Sequence, residues 1–136
     1  MKPPASHADL LEKPLYAHVA TVRTDGGPQS SPMWFDWDGT HIRMTHTSKR
    51  QKFRNLERDP RIALSIIDPA DPLRSIEVRG TVTITEDDAT ASFYQGLQHR
   101  YGIVYPIDDA DVRIILSVTP TKLILVEGGG IVGVVS

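Results

Sequence analysis

Short runs of alternating apolar and polar residues, cut by tight-turn dipeptides, make up most of this chain and restrict it to a hairpin-rich β architecture. Tyr16–Arg23 is rich in β-branched residues, and Thr24-Asp-Gly-Gly27 behind it is a hairpin signal. Gln29–Trp37 reads as the returning strand. Pro32 inside it has no backbone donor, which suits an edge and not a central ladder position. Asp38-Gly39 marks a second tight turn before the alternating run Ile42–Thr47. Arg61–Asp68 is strongly apolar, and Asp68–Arg74 reads as a polar loop. Ser75–Thr85 is a long alternating strand whose Gly80 marks a bulge or barrel corner. Arg113–Val118 and Lys122–Val126 read as the last strands, divided around Pro120. The tail Gly128–Ser136 starts flexible and ends apolar, an end expected to dock on another surface, such as that of a neighbouring subunit.

Helical periodicity is confined to Ser6–Glu12, a segment after Ser48, and Asp88–Tyr101. The first has Ser6 as cap, Leu10 and Leu11 facing inward and Pro14 as its stop. The last places Phe93, Leu97 and Tyr101 on one face, with Gly102 as its C-terminal stop. Six or seven strands, hairpin-linked early and joined by one crossover helix, predict a mainly β (α+β) antiparallel barrel rather than a doubly wound sheet. With 136 residues and neither an internal repeat nor a linker, one domain over 1–136 is expected.

The segment around Ser48 carries the most information about function. Ile42, Met44 and His46 fall on one side of the strand, and Arg43, Thr45 and Thr47 on the other. Ser48-Lys-Arg-Gln51 then reads as a capping box opening a short helix, with Phe53 and Leu56 facing the core and Pro60 closing it. Lys49, Arg50, Lys52 and Arg54 crowd its first turns, where the helix dipole favours acidic side chains. Free backbone N–H groups beside such cations form an anion site, most naturally for phosphate. A solvated basic face gives the same charge run, so the residues alone leave both readings open.

The rest of the composition excludes several classes of function. A net charge of -2 gives no general attraction to nucleic acid, so the basic cluster is a local feature. The absence of cysteine removes thiolate chemistry, disulfides and cysteine metal sites. No apolar run reaches membrane-spanning length and Met1–Leu11 lacks signal-peptide order, so a cytoplasmic protein without a membrane partner is expected. His7, His18, His41, His46 and His99 form no metal-binding motif, and GxSxG, Walker A and GxGxxG motifs are all missing. An enzyme built this way needs a cofactor to carry the reaction. Gln29–Phe35 offers it a seat: a proline-bent strand exposes backbone groups beside Met33 and Trp34, which suits a flat heterocycle or an edge strand whose aromatics cover the core.

Three segments in order, Ala20–Phe35, Ser48–Arg61 and Ile76–Val82, resemble the flavin- and deazaflavin-binding split β-barrel family, the pyridoxamine 5′-phosphate oxidase-like proteins. The resemblance runs from about His18 to Val126. Its middle segment is most similar to the branch that uses the deazaflavin coenzyme F420, common in actinobacteria. It implies a Greek-key split barrel and a homodimer with cofactor sites at the subunit interface. Residues matching Arg50, Lys52 and Asn55 would bind the cofactor phosphate, with Thr45 and Thr47 on the strand leading in. Positions matching Gln29, Ser30, Ser31, Pro32 and Met33 would line the ring through their backbone groups, and Ile76 to Arg79 would complete the site across the interface. The implied activity is hydride transfer from reduced F420 to a small electron-poor acceptor. The alternatives are an FMN flavoprotein and a cofactor-binding protein without a substrate. No proton donor is dictated, and Tyr94, Tyr101 and Tyr105 qualify only by residue type. The absence of any basic residue after Lys122 argues against activity on pyridoxamine phosphate.

Overall fold

In the computed structural model, which describes residues 1–136 apart from the side chain of Ile84, alternation becomes one antiparallel sheet. Its strands are β1 (Ala17–Val22), β2 (Pro28–Met33), β3 (Asp36–Trp37), β4 (Ile42–Thr47), β5 (Arg61–Asp68), β6 (Asp71–Asp87), β7 (Arg113–Glu127) and β8 (Gly130–Val135). The order is β2-β1-β5-β6-β7-β4-β3, with β8 paired to β7. This sheet curls into a split β-barrel: the pattern predicts the antiparallel barrel, and the family resemblance implies its split form. Three short helices accompany it: α1 (Ala8–Glu12), α2 (Gln51–Arg58) and α3 (Ser92–Tyr101). None is long and apolar enough to cross a membrane. Val19, Phe35, Ile42, Met44, Leu64, Ile66, Ile76 and Leu116 fill the interior with no exposed surface.

Pro32 lies on β2, an outer strand of the sheet, where its missing donor costs no ladder bond. Gly80 sits where the β6–β7 register slips: Arg79 faces Lys122 but Gly80 faces Pro120. A Cβ at Gly80 would collide with the carbonyl oxygen of Thr119, so this bulge requires glycine.

Three local expectations are corrected, and a fourth, the docking of the tail, is made specific. Pro120 does not divide β7, which runs unbroken; β4 begins opposite Val118 and β8 ends opposite Leu123, so Pro120 falls in the gap between those neighbours. Asp68–Arg74 is no loop but a hairpin, with Asp68 opposite Asp71. The tail docks on its own chain as β8, reached through Gly128 and Gly129 at positive φ of 59° and 78°. Helix α3 starts at Ser92 rather than Asp88, because the buried Asp88 carboxylate reaches forward to accept from the backbone N–H groups of Phe93 (3.2 Å) and Tyr94 (3.1 Å). Its inner face is consequently Tyr94, Leu97 and Gln98.

The helices close the barrel. Leu10 and Leu11 of α1 are buried in the main core, while Asp9 pairs with Arg74. Ser6 does not cap α1; its hydroxyl bonds to His7 Nδ1, and His7 Nε2 lies 3.1 Å from the Val126 carbonyl oxygen. At the far end of α3, Arg100 donates to the carbonyls of Phe35 (3.1 Å), Glu12 (3.0 Å) and Lys13 (2.9 Å). The Tyr101 hydroxyl donates to Leu15 O at 2.5 Å and accepts from Phe35 N at 3.0 Å. That engagement makes Tyr101 a structural clamp.

Candidate functional site

The β4–α2 junction is the heart of the site. The predicted capping box is not formed. Arg50, not Ser48, occupies the N-cap position, and no side chain caps α2. Ser48 N instead donates to Val112 O at 3.0 Å, drawing the junction toward β7, and the Gln51 amide donates forward to Asn55 Oδ1 at 3.0 Å. Helix α2 therefore opens with cations and without a side-chain acceptor for its N-terminal donors, an arrangement favourable to an anion.

Of those cations, Lys49, Arg50 and Arg54 are exposed, whereas Lys52 is only 5% exposed. Lys52 Nζ donates to Ser31 Oγ and lies 3.2 Å from Met33 Sδ. No carboxylate forms an ion pair with it among the described residues. Burial, with the Arg50 charge, lowers its pKa from the usual lysine value. A buried ammonium without a counter-ion is costly, and an anion beside it offsets that cost.

Two further groups join Lys52. Arg113 opens β7 directly opposite Thr47. Its guanidinium holds Asp109 bidentately at 2.9 and 3.0 Å, sits 3.9 Å from the centre of the Tyr94 ring, and comes within 3.5 Å of Thr45 Oγ1. His46, pointing inward from β4, is 6% exposed, and its Nε2 has no hydrogen-bond partner. Burial first, then the charges of Lys52, Arg50 and Arg113, push its imidazole down to about 4.

These groups border a cleft of about 380 Å³. Ser31, Pro32 and Met33 of β2 form one wall; Tyr16, Trp34, Tyr94 and Tyr105 supply aromatic surface; Thr45, His46, Arg50, Lys52 and Arg113 complete it. Trp34 is stacked on Tyr101 at 4.9 Å, and Tyr94 and Tyr105 share a hydroxyl hydrogen bond. Burial and the Tyr105 contact raise the Tyr94 pKa. Flat aromatic walls, three cations and an unpartnered ring nitrogen fit a planar cofactor bearing phosphate.

The structure gathers Ser31, Pro32, Met33, Thr45, Arg50 and Lys52 from the expected cofactor set into this cleft. It places the others elsewhere. Asn55, fully buried, donates to Gln29 Oε1 (2.8 Å) and Thr21 Oγ1 (3.3 Å), so Asn55 and Gln29 fasten α2 to β1 and β2. Thr47 is buried at the junction. Ser30 and Arg79 line a separate cleft on the outer sheet face, where Arg79 pairs with Glu77. The Ile76 side chain is wholly inside the core and offers a ligand no surface within this chain. Arg113, His46 and Tyr16 were outside the expected set. For His46 a signal existed, since it is the one polar residue on the inward side of an otherwise apolar strand face; Arg113 joins the site only through the β4–β7 register.

A profile of the pyridoxamine 5′-phosphate oxidase family matches residues 4–126. The chain belongs to this family. A solved structure named F420 reductase shares 48% identity with this family member, with a TM-score of 0.87 over 89% of this chain and 98% of that one. A conserved hypothetical protein from Mycobacterium tuberculosis shares 22% identity, with a TM-score of 0.74 over 93% and 86% of the two chains. General Stress Protein 26 from Bacillus anthracis shares 20%, with a TM-score of 0.67 over 87% and 88%. The latter two are likenesses of fold. Among curated proteins none matches the chain. As a pyridoxamine 5′-phosphate oxidase family member, this chain draws the positive charge of its cleft from α2 and the start of β7.

Proposed function

We propose that this protein is an oxidoreductase that holds the deazaflavin coenzyme F420 in the Lys52 cleft and reduces a small electron-poor acceptor. The observation that carries the reading is Lys52 itself, a buried cation without a carboxylate partner, facing a cleft shared with Arg50 and Arg113. The 48% identity to a protein named F420 reductase supports the choice of cofactor. In this reading Lys52 and Arg50 grip the phosphate, with the exposed N–H groups of α2 beside them. The backbone of Ser31–Met33 runs along the ring edge, and Trp34 and Tyr16 shield it from water. Bound F420 supplies hydride chemistry, and the protein contributes orientation, water exclusion and charge. The Tyr94–Tyr105 hydroxyl pair can hold a proton at the cleft wall.

Two copies pairing through the outer sheet face belong to the same reading, supported by the exposed Ile131, Val132 and Val134 of β8. Sedimentation velocity reports that assembly directly. Titration with oxidised F420, followed by its fluorescence, tests the cofactor; absence of saturable binding overturns it. The same phosphate grip suits FMN, and a tightly bound yellow chromophore on purification would establish that alternative. Acceptor-dependent reoxidation of bound reduced F420 separates a catalyst from a carrier.

A further inference from the structure

His46 is not used by the function just proposed, yet its ring is left incompletely hydrogen-bonded. Its Nε2 is the one buried side-chain nitrogen or oxygen without a hydrogen-bond partner among the described residues. The ring borders the cleft and is more than nine-tenths buried, so solvent does not satisfy that nitrogen. Every charged group acting on it is positive: Lys52 and Arg50 from α2, and Arg113 from β7, whose own partner Asp109 neutralises it in part. The phenols of Tyr94 and Tyr105 line the same cleft and are neutral donors or acceptors engaged with each other. In the cofactor-free protein a second proton on the imidazole meets Lys52, Arg50 and the partly neutralised Arg113, with no acceptor at Nε2. An anion between these groups reverses both terms, because it offsets the cations and accepts a hydrogen bond from the protonated imidazole that borders the cleft.

We propose that His46 is an anion ligand of this cleft, and that it takes up a proton from solvent as the anionic group of the cofactor enters. The inference rests on the cleft being the cofactor site. Binding then becomes pH-linked: between the imidazole pKa of the free protein and that of the complex, the cofactor Kd rises about tenfold per pH unit. Below the free value, near 4, His46 is already charged and this linkage disappears.

The test is an NMR titration of the histidine ring protons on the intact protein, free and with F420, FMN or sulfate, the last of which does not titrate in this range. His46→Gln assigns the signal, and its amide can donate at the position of Nε2 without titrating. His46→Leu removes the donor. We expect the free His46 signal to titrate near 4, and F420 to raise that midpoint by about two and a half units. His46→Gln should retain cofactor binding but lose the pH slope; His46→Leu should weaken it about tenfold at pH 5.5 and little at pH 8. Saturable F420 or FMN binding with an unmoved His46 midpoint overturns the proposal and leaves the proposed function standing. If neither cofactor binds, the proposed function falls, and sulfate decides for His46: a raised midpoint supports an anion ligand, an unmoved one removes it. The wild-type titration decides the matter even should either variant fail to fold.

Discussion

Replacing Lys52 by methionine should stabilise the cofactor-free protein while removing much of its affinity for the cofactor. Methionine keeps the unbranched shape of the stem and discards a charge that is 5% exposed and has no counter-ion. Exchanging a buried charge for an apolar side chain of similar volume gains about 1–4 kcal/mol. The lost hydrogen bond to Ser31 gives back about 1 kcal/mol, leaving a net gain on the order of 1 kcal/mol. For a chain of 136 residues that corresponds to a rise of roughly 3–5 °C in Tm. The pH dependence fixes the mechanism. Because the folded-state pKa of Lys52 is lowered, the unfolded chain holds the extra proton between that value and the usual 10.5. Wild-type stability therefore climbs as pH rises through that window, and the methionine advantage is largest below it. Cofactor affinity moves the other way: loss of a charge-assisted bond to phosphate weakens binding roughly ten- to a hundred-fold. Calorimetric melts from pH 6 to 10.5 and a fluorescence titration with F420 measure both quantities. A lower Tm with unchanged affinity would refute the reasoning and make Lys52 a structural tie to Ser31 and Met33.

Arg50 is exposed, so Arg50→Ala should weaken F420 binding less than Lys52→Met, and the loss should fade when titrations are repeated in high salt. In the cofactor-free protein, His46 contributes about 3 kcal/mol of acid sensitivity, from its shift from 6.5 to about 4. The folded state binds the proton less readily than the unfolded one, so that stability is present above pH 6.5 and lost as pH falls toward 4; chemical denaturation across this range should show a shallower slope in His46→Leu. Gly80→Ala drives a methyl into the Thr119 carbonyl and should cost about 3 kcal/mol, read as a lower denaturant midpoint with little change in m value.

The sequence features that translated into structure are those whose causes are local. Pro32 forbids an inner ladder position, and β2 is an outer strand. Gly80 marks a bulge because no side chain fits beneath Thr119. The alternation in β4 places His46 inward beside Ile42 and Met44, a polar group on an apolar face. What stayed hidden depends on contacts between distant segments. Arg113 reaches the site because β7 lies against β4 with Thr47 opposite it, a register no local pattern encodes. The glycine-rich tail gains its strand from the free edge of β7. Asp88 looked like the first residue of a helix, and its carboxylate instead caps one that starts later. The capping box failed for a related reason: Ser48 N bonds to Val112, and that tertiary bond outweighs the local motif.

That failure bears on what the cleft is for. A serine cap and an acidic first turn would have stabilised α2 by roughly 1–2 kcal/mol, and the chain has neither. It has cations there instead, one of them buried, and Asn55 fastens the helix to Gln29 and Thr21. With the helix fastened and Lys52 bonded to Ser31, the buried ammonium is in position before any ligand arrives, so binding does not have to order it. A loose basic loop could attract phosphate at no cost in stability, but it would grip weakly and orient nothing. The combination found here, an uncapped helix start, a buried ammonium without a counter-ion and an unpartnered imidazole, is unfavourable to the cofactor-free protein at each point, and in the proposed reading the anionic group of the cofactor offsets that cost. Such concentrated local instability is expected where a site is built for a ligand, and it accounts for the placement of charge at α2 without appeal to solubility.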